Sequence, residues 1–499
     1  MSAALAPGPL LRPVQASTES LRQLAYAHPA AFPVLLDSSA LGALGRYSIL
    51  AAYPQAALWL DAAGLQAQAS GPHVVSDAAM QYRSSPTGFL DALQEAWRSE
   101  AAAVARAAGA AGAEGAAAGE PADYPGPFHG GWMVFLGYEL AAQIEPQLSL
   151  PPPPPGAEWA PAALALRIPA ALVFDHRAGR AWLIAEAGRH ALLADLQAAL
   201  AALPQQGAVV SASASLPALA LQEEAPERFR DRVQAALEYI RAGDIYQANL
   251  SRPWRGEFAA DRVPPPGLAA TLYERLRAAN PAPFAALAQH RGWSLLCSSP
   301  ERLVRVADGR VETRPIAGTR PRSRTAGADE SELAALIAHP KERAEHIMLV
   351  DLERNDLGRI CQPGSVLADP IMVTESYAHV HHIVSNVSGR LREGLTPVEV
   401  LRAVFPGGTI TGCPKFRCMQ IIAELEAESR GAYTGAIGFI NHDGSMDLNI
   451  LIRSLTLTGR RLQFRAGGGI VADSDWQREL AETRAKARGL LTALDVPPA

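Results

Sequence analysis

The sequence predicts a globular protein that mixes helices with strands, and three observations support this fold class. First, 48 % of the residues are apolar and 19 % are charged, which supplies enough side chains for a large core. Second, short β-like runs occupy positions 33–36, 47–51 and 130–136. Third, apolar side chains recur at helical spacing over residues 223–242. The 499 residues correspond to about three domain equivalents.

Composition argues against two classes of partner. The formal net charge is −5 and no basic cluster is present, so a nucleic-acid partner is not expected. The most apolar stretch, residues 160–174, is interrupted by Pro161, Arg167 and Pro169, whereas a spanning helix needs about 18 uninterrupted apolar residues. Residues 1–13 lack a sustained apolar segment, so neither a signal peptide nor a transit peptide is predicted. We therefore expect a cytoplasmic protein that does not associate with membranes.

Lysine is rare in this chain, because only Lys341, Lys415 and Lys486 stand among 45 basic residues. Arginine does not imitate a compact, rotatable ammonium group. The three lysines are therefore candidates for specific roles. The four cysteines are too few and too scattered for a disulfide framework, so we expect thiols.

The N-terminal part is predicted to be an α/β region with two surface insertions. Residues 99–120 are almost entirely Ala and Gly with a few charges, and residues 151–155 are an unbroken proline run that must be extended. The density of motifs rises after the amphipathic helix, so we place a boundary within residues 205–225. This divides the chain into an N-terminal region, 1–215, and a C-terminal region, 216–499, that carries most of the motifs.

The stretch from Pro340 to Gly358 is predicted to be a helix, because proline suits its first turn and glycine its end. It carries Glu342 and Glu345, which are three residues apart and therefore share a face. Such a face is compatible with a solvated surface or with a cation site.

The last helix is predicted to begin at Ser474, which has a capping-box spacing to the glutamine three residues later. It carries Glu479, Glu482 and Lys486, and its carboxylates again share a face. The simpler interpretation is a solvated face with an i, i+4 pair of Glu482 and Lys486, worth about 0.3–0.5 kcal/mol. The alternative is that one carboxylate from each helix binds Mg²⁺, which takes one or two protein carboxylates together with water and an anionic substrate.

Three consecutive glycines, Gly467, Gly468 and Gly469, follow a strand-like run at 462–466 and precede the last helix. Consecutive glycines let backbone N–H groups approach an oxyanion closely, so a carboxylate or phosphate would fit here. The spacing imitates a dinucleotide fingerprint, but too few residues follow to complete a βαβ unit. Residues 407–412 have the glycine spacing of a P-loop without its lysine, so an ATP site is not predicted either.

Two further positions indicate an acidic substrate. His379 and His381 alternate in a strand-like run and point away from His382. Alternating histidines more often pack than bind zinc, but His382 is a candidate for proton transfer because histidine titrates near neutral pH. Arg453 lies in the apolar, strand-like run 449–457, where a guanidinium is costly unless it meets an anion.

Taken in order, these motifs resemble those of the chorismate-utilising enzymes, a family that includes anthranilate synthase large subunits, aminodeoxychorismate synthase component I, and isochorismate and salicylate synthases. The resemblance spans residues 225–490. The matching runs are S-P-E-R at 299–302, R-P-I-A-G-T-R at 314–320, A-E-H-I-M-L-V-D-L at 344–352, R-N-D at 354–356, H-I-V-S at 382–385, G-T-I-T-G-C-P-K at 408–415 and A-G-G-G-I-V-A-D-S at 466–474. Weaker matches are L-L-D-S at 35–38 and G-Y-E at 137–139.

The resemblance implies an α+β fold, a large antiparallel sheet sandwich flanked by helices, with the active site in a cleft of the chorismate-binding catalytic domain. It implies that Mg²⁺ is held by Glu345 and Glu482, with Glu342 and Glu479 as supporting acids. It implies that chorismate is bound by Gly318, Thr319, Tyr433, Arg453, Gly467, Gly468 and Gly469. Around the departing C4 hydroxyl it implies catalytic roles for His382, Glu301, Thr409 and Lys486.

The nucleophile is indicated by one position of this resemblance. Isochorismate and salicylate synthases carry a lysine that activates water where this chain has Gln247, so ammonia is the expected nucleophile. Aminodeoxychorismate synthases usually carry P-I-K-G-T, whereas this chain has Ala317 in place of the lysine, as anthranilate synthases do.

Other positions favour the aminodeoxychorismate branch, which serves para-aminobenzoate and folate synthesis. The feedback pocket of anthranilate synthases resembles L-L-E-S plus N-P-S-P-Y-M, but here Asp37, Phe284 and Ala285 replace the Glu, Tyr and Met. The runs at 243–250, 406–415 and 444–455 also resemble that branch. The alternatives are the anthranilate branch, which releases pyruvate, and a non-catalytic subunit that binds chorismate.

A glutaminase is not expected within this sequence. No cysteine has the small-residue context of a nucleophile elbow. Ammonia must therefore come from a separate glutamine amidotransferase subunit, which predicts a heterodimer, or from solution.

Overall fold

The computed structural model describes residues 9–497 except 41, 43, 70–87, 114–123, 125, 154–159, 205–209, 260–264, 322–339 and 377–379. The helices are α1 (Thr18–Ala27), α2 (Phe89–Ala113), α3 (Ala141–Ile144), α4 (His190–Ala201), α5 (Pro226–Arg241), α6 (Pro265–Ala279), α7 (Pro340–Gly358), α8 (Pro397–Val404), α9 (Lys415–Glu426) and α10 (Trp476–Ala493).

The strands of the first half of the chain are β1 (Leu10–Val14), β2 (Val34–Asp37), β3 (Tyr47–Ala52), β4 (Ala56–Asp61), β5 (Gly64–Ala69), β6 (Gly131–Leu136), β7 (Ala163–Ile168), β8 (Ala170–Asp175), β9 (Arg180–Ala185), β10 (Leu219–Glu223) and β11 (Gln247–Phe258). Those of the second half are β12 (Phe284–His290), β13 (Trp293–Ser299), β14 (Arg302–Ala307), β15 (Arg310–Thr313), β16 (Ile316–Pro321), β17 (Leu367–Ala368), β18 (Val373–Ser376), β19 (Val380–Val384), β20 (Val387–Arg390), β21 (Gly412–Cys413), β22 (Ala436–Asn441), β23 (Met446–Ile450), β24 (Ser454–Thr458) and β25 (Arg461–Ile470).

Two large antiparallel sheets and one small sheet organise these strands. The twelve-stranded sheet has the order β1-β9-β8-β3-β2-β12-β13-β24-β25-β11-β10, with β21 paired to β11. The ten-stranded sheet has the order β17-β20-β15-β14-β23-β22-β6-β7-β4-β5, and the small sheet has the order β16-β19-β18.

The two large sheets share a buried apolar layer. Ile49 and Leu295 of the twelve-stranded sheet belong to the same cluster as Leu164 and Ile437 of the ten-stranded sheet. Because successive side chains of a strand point to opposite faces, each sheet presents a second apolar face to its helices.

Helices cover those outer faces. Residues of α1, α4, α6 and α10 join one cluster with the twelve-stranded sheet, and residues of α2, α7 and α8 join another with the ten-stranded sheet. The predicted α+β sandwich flanked by helices is therefore confirmed. No helix among the described residues combines the length and apolar composition needed to cross a membrane.

Both large sheets combine strands from either side of residue 215. In the twelve-stranded sheet β2 pairs with β12, and in the ten-stranded sheet β6 pairs with β22. The division into 1–215 and 216–499 stays a prediction about the chain, and the two stretches share their sheets.

The predicted bounds of helices were confirmed for some elements, whereas others begin or end at different residues. Helix α7 has the predicted bounds. Helix α10 begins at Trp476 rather than Ser474, because the side chain of Asp475 accepts the backbone N–H of Arg478 at 3.1 Å. The Ala-rich stretch predicted as an insertion at 99–120 continues α2 as far as Ala113, and the rest of it lies outside the described residues.

Candidate active site

The glycine run of β25 pairs with β11 and leaves no room for side chains at two positions. A methyl group on Gly467 would lie 2.7 Å from the hydroxyl oxygen of Tyr433 and 2.5 Å from the carbonyl oxygen of Leu250. A methyl group on Gly469 would lie 2.0 Å from the side-chain nitrogen of Gln247. These close approaches explain why the strand carries glycines where it passes Tyr433 and Gln247.

Helix α7 brings Glu345 to the first residue of β11. The amide nitrogen of Gln247 donates to Glu345 at 2.9 Å. The next residue of the helix, His346, is fully buried and its Nε2 lies 2.5 Å from the hydroxyl of Ser385. Burial lowers the pKa of His346 to about 4, so its ring is neutral at pH 7 and anchors this part of α7 to the end of β19.

Helix α10 brings a second set of acids to the same strand. A methyl group on Gly468 would lie 3.4 Å from Oε1 of Glu482 and 3.5 Å from Oε2 of Glu479. Glu479 also accepts from the hydroxyl of Ser474 at 2.6 Å. The Nζ of Lys486 lies 2.7 Å from Glu482, which confirms the i, i+4 pair that the sequence predicts.

Lys486 connects this helix to the glycine run as well. Its Nζ donates to the carbonyl oxygen of Gly467 at 3.0 Å. The ammonium group therefore lies between the Glu482 carboxylate and the backbone of β25.

Glu301 and Thr409 form a buried pair beside these groups. The hydroxyl of Thr409, in the 3-10 turn Gly408–Ile410, donates to Oε1 of Glu301 at 2.8 Å. Burial raises the pKa of Glu301 to about 7, although the Thr409 bond, a backbone N–H from Ile316 and the charges of Lys486 and Arg453 oppose that shift. Glu301 thus exchanges a proton near neutral pH.

Arg453 lies where the chain passes from one large sheet to the other. The sequence predicted a strand over 449–457, but β23 of the ten-stranded sheet ends at Ile450 and β24 of the twelve-stranded sheet begins at Ser454. Arg453 has a φ of 51°, a left-handed conformation, in the segment that joins the two strands. Among the described residues its guanidinium has no hydrogen bond or ion pair, and burial lowers its pKa against the opposing charge of Glu301.

Tyr433 is a buried hydroxyl that stays protonated. Burial raises its pKa to about 12, and the positive charge of Arg430 opposes that shift. Its oxygen faces Gly467, so it can donate to a ligand that lies against the glycine run.

The small sheet contributes the remaining predicted residues. In its backbone register Thr319 of β16 stands opposite His382 of β19, and Gly318 lies at the position where that register shifts. The N–H of Ile316 reaches Glu301, which ties this sheet to the buried pair. The side chains of Thr319 and His382, and that of Glu342 in α7, lie outside the described part of the chain.

The acids fit the coordination that Mg²⁺ prefers. Within the described ranges, His, Cys, Asp and Glu side chains form no group of three or more that is placed to hold a metal. Mg²⁺ commonly uses only one or two carboxylates and completes its shell with water and substrate oxygens. Glu345 contacts Gln247 and Glu482 lies beside Gly468, so each helix offers a hard oxygen ligand near the glycine run, and a pair of carboxylates is compatible with this kind of coordination.

Sequence reasoning missed some of the supporting contacts. It singled out Gln247 as a branch marker but not as the partner of Glu345, because that contact joins residues far apart in the chain. It also missed two buried residues, Arg430, whose guanidinium lies 5.6 Å from the centre of the Tyr433 ring, and Glu426, which accepts from Ser251 of β11. No local pattern distinguishes Arg430 among the many arginines of this sequence.

Comparisons with known proteins identify the family to which the chain is similar. The family model described as "chorismate binding enzyme" matches residues 57–492. An "anthranilate synthase component I-like protein" of Synechocystis sp. is 40 % identical over 369 residues, 74 % of this chain and 73 % of that protein. "Aminodeoxychorismate synthase component 1" of Bacillus subtilis is 39 % identical, over 74 % of this chain and 78 % of its own length. The crystal structure of anthranilate synthase component I from Streptococcus pneumoniae superposes with a TM-score of 0.70 at 30 % identity, covering 89 % of this chain and 92 % of that one.

Proposed function

Since this chain belongs to the family of chorismate-binding enzymes, we propose that it is the chorismate-aminating subunit of an aminodeoxychorismate synthase. In that reaction ammonia replaces the C4 hydroxyl of chorismate, water leaves, and the enolpyruvyl group is retained in 4-amino-4-deoxychorismate.

The observation that carries the choice of ammonia is the side chain of Gln247. Its amide nitrogen is engaged by Glu345, whereas its buried carbonyl oxygen has no hydrogen-bond partner among the described residues. An unpaired buried acceptor favours a ligand that donates. Ammonia donates, and a glutamine does not deprotonate water as a lysine base does.

The substrate is held by groups that suit carboxylates. Arg453, whose guanidinium has no hydrogen bond or ion pair among the described side chains and feels only the more distant charge of Glu301, would pair with the enolpyruvyl carboxylate, and the N–H groups of Gly467 to Gly469 would support it. Tyr433 would donate to the same end of the molecule. A partly buried guanidinium without a direct ion pair gains most from such a ligand.

Glu301 would serve the departing hydroxyl. Burial raises its pKa to about 7, so it is protonated in part of the molecules at neutral pH and can give that proton to the C4 oxygen. Thr409 orients the carboxyl group of Glu301. His382 of β19, the strand paired with β16, is the second candidate for this proton transfer. The ammonium group of Lys486 would stabilise negative charge near Glu301 and Glu482.

Glu345 and Glu482 would hold Mg²⁺, with Glu342 and Glu479 as outer acids. The bound ion would supply positive charge for the ring carboxylate and would polarise the departing hydroxyl. Gln247 would keep Glu345 oriented toward that ion.

A glutamine amidotransferase subunit is the proposed partner. Relatives of this chain carry the name "component 1", which fits a subunit that receives ammonia from a second protein. A cytoplasmic location and a role in folate synthesis accompany this proposal.

Anthranilate synthase component I is the second candidate, because Ala317 stands where the aminodeoxychorismate branch usually has lysine and several relatives carry that name. Against it, β2 and β12 place Asp37 opposite Ala285 in the sheet, so the two altered motifs of the feedback pocket meet. Asp37 is occupied there by Arg277 at 2.6 Å and by the hydroxyl of Ser48 at 3.0 Å.

Product identification tests the proposal. The purified chain is incubated with chorismate, Mg²⁺ and ¹⁵N-ammonium at alkaline pH, and products are identified by mass. We expect labelled 4-amino-4-deoxychorismate without pyruvate. Labelled anthranilate with an equivalent of pyruvate would establish the second candidate, and bound but unconverted chorismate would establish a non-catalytic binding subunit.

A further inference from the structure

One buried arginine outside the predicted site donates to four separate segments. Arg430 is 3 % exposed, and its Nε and Nη2 bind the carboxylate of Glu426 at 3.0 and 2.7 Å. Nη2 also donates to the carbonyl of Asn249 at 2.6 Å, and Nη1 donates to the carbonyl of Ile410 at 3.2 Å and the hydroxyl of Thr434 at 3.4 Å. The five acceptor contacts match the five N–H donors of a guanidinium.

Two of these acceptors are the next residues after proposed site residues. Ile410 follows Thr409, which orients Glu301, and Thr434 follows Tyr433. The Cζ of Arg430 also lies 5.6 Å from the centre of the Tyr433 ring. The guanidinium therefore holds the backbone directly after Thr409 and the side-chain hydroxyl of the residue directly after Tyr433.

The other two acceptors lead to the glycine run. Asn249 stands opposite Gly469 in the pairing of β11 with β25. Glu426 accepts from the backbone N–H and the hydroxyl of Ser251, at 2.8 and 2.9 Å, and Ser251 stands opposite Gly467. Arg430 therefore contacts Asn249 directly and Ser251 through Glu426. These two residues of β11 pair with Gly469 and Gly467 of β25.

We propose that Arg430 is the positioning residue that sets the spacing among the Thr409 turn, Tyr433 and the glycine run. This inference rests on the proposed function of the site. Lysine cannot substitute, because it offers three donors around a single nitrogen and lacks the planar fork that spans a carboxylate and two carbonyls. Small misplacements of groups that hold a substrate cost large factors in rate.

A purely structural arginine provides the matched control. Arg167 is 2 % exposed and binds Glu186 through two nitrogens at 2.7 and 2.6 Å, with a further bond to Glu100 at 3.1 Å. It therefore has a similar fork and similar burial. The groups that accept from Arg167 belong to Glu100, Gly131 and Glu186, which are not part of the glycine run or the Thr409 turn.

The test compares Arg430→Lys with Arg167→Lys in the full chain. Chorismate consumption with Mg²⁺ and ammonium gives kcat and KM, and near-ultraviolet circular dichroism and thermal unfolding give the folded fraction and Tm. We expect both variants to lose Tm, but only Arg430→Lys to lose about 10²-fold in kcat/KM per folded molecule, chiefly in kcat. Equal kinetic constants for the two folded variants would overturn the inference.

A second pair keeps the test decisive if Arg430→Lys does not fold. Glu426→Gln loosens the fork of Arg430, and Glu186→Gln loosens that of Arg167. A roughly 10-fold loss of kcat/KM is expected only for Glu426→Gln, and equal values would again overturn the inference. A wild-type chain that consumes no chorismate would instead refute the proposed function.

Discussion

At the scale of single residues, the candidate site depends on groups whose polar atoms are only partly satisfied within the protein. Gln247 keeps a buried carbonyl oxygen without a partner in the described part of the chain, and the guanidinium of Arg453 has no hydrogen bond or ion pair there, although the charge of Glu301 acts on it. Buried polar groups usually find partners inside the protein. In the proposed function, ammonia would donate to Gln247 and a carboxylate of chorismate would accept from Arg453.

Gln247→Leu should separate ammonia use from chorismate binding. The leucine removes the buried acceptor together with the amide that donates to Glu345, and it leaves Arg453 in place. We expect kcat/KM for ammonium at saturating Mg²⁺ to fall about 10²-fold, while the Kd for chorismate measured without Mg²⁺ changes by less than about 3-fold. Gln289→Leu is the matched control, because Gln289 is a partly buried glutamine of the same sheet whose side-chain amide donates to the carbonyl oxygen of Ala25 at 3.3 Å. An unchanged dependence on ammonium would contradict the role of Gln247.

Thr409→Val should move the pH profile. The Thr409 hydroxyl favours the ionised form of Glu301, so its removal raises a pKa that burial already holds at about 7. If Glu301 acts as the acid, activity falls as pH rises through that pKa, and the alkaline limb should move up by about one pH unit. Thr409→Ser retains the hydroxyl and should retain the limb. A valine variant with the wild-type limb would exclude Glu301 as its source.

The sequence made the residue types of the site predictable but not their contacts. Glu301, Arg453 and Lys486 could be singled out from motifs and resemblance, because their types are chemically distinctive. Their pairing with Thr409 and Gly467 depends on strands and helices that are far apart in the chain. Local periodicity carries no information on such long-range contacts.

At the scale of elements, β25 is the scaffold of the site, since one face of its glycine run meets Gln247 and another meets the acids of α10. Its strand character and glycines were predictable. The break of the 449–457 run at Arg453 was not, because an apolar run looks the same whether it continues in one sheet or crosses to another.

Gly469→Ala and Gly468→Ala should differ, although the residues are adjacent. The new methyl at position 469 would meet the Gln247 amide at 2.0 Å and must displace it from Glu345, whereas that at 468 meets Glu482 at 3.4 Å. We expect Gly469→Ala to lower kcat/KM about 10²-fold and to raise the Mg²⁺ concentration needed for activity. The loss for Gly468→Ala should be smaller. Equal losses would show that Gln247 does not control Glu345.

At the scale of the whole molecule, the two sheets bury ion pairs as well as apolar layers. Glu426 is 6 % exposed and lies between Arg430 and Arg465, with nitrogen to oxygen distances of 2.7 and 2.8 Å. Burial alone would raise its pKa, but the two guanidinium groups outweigh burial and lower that pKa to about 2. Protonating this carboxylate therefore opposes folding.

Lowering the pH should weaken the stabilisation that ionised Glu426 gives the folded protein, and it should do so over a defined pH range. Because the folded pKa of Glu426 is depressed, its stabilisation is fully present above about pH 4.5 and is lost as the pH falls toward 2. Glu426→Gln should cost about 3 kcal/mol in the free energy of unfolding at pH 7 and progressively less toward pH 2.5, measured by urea unfolding. Glu257→Gln, in an exposed ion pair with Arg460, should cost under about 1 kcal/mol at either pH. A Glu426→Gln cost independent of pH would contradict the shift.

The fold class was predictable from the order of motifs, whereas the sharing of sheets was not. Strands β2 and β6 of the N-terminal region pair with β12 and β22 of the C-terminal region. A boundary drawn along the sequence therefore does not divide the sheets. Such pairings are set by long-range packing that no local window contains.

Calorimetric titration of chorismate, without ammonia, tests the joint magnesium and substrate site most directly. The wild-type chain, Glu345→Gln and Glu482→Gln are each titrated with and without Mg²⁺. We expect Mg²⁺ to tighten chorismate binding to the wild-type chain at least about 10-fold and to have little effect on either variant. Equal affinity with and without Mg²⁺, or variants that respond as the wild type does, would contradict the assignment of these two carboxylates to a shared site.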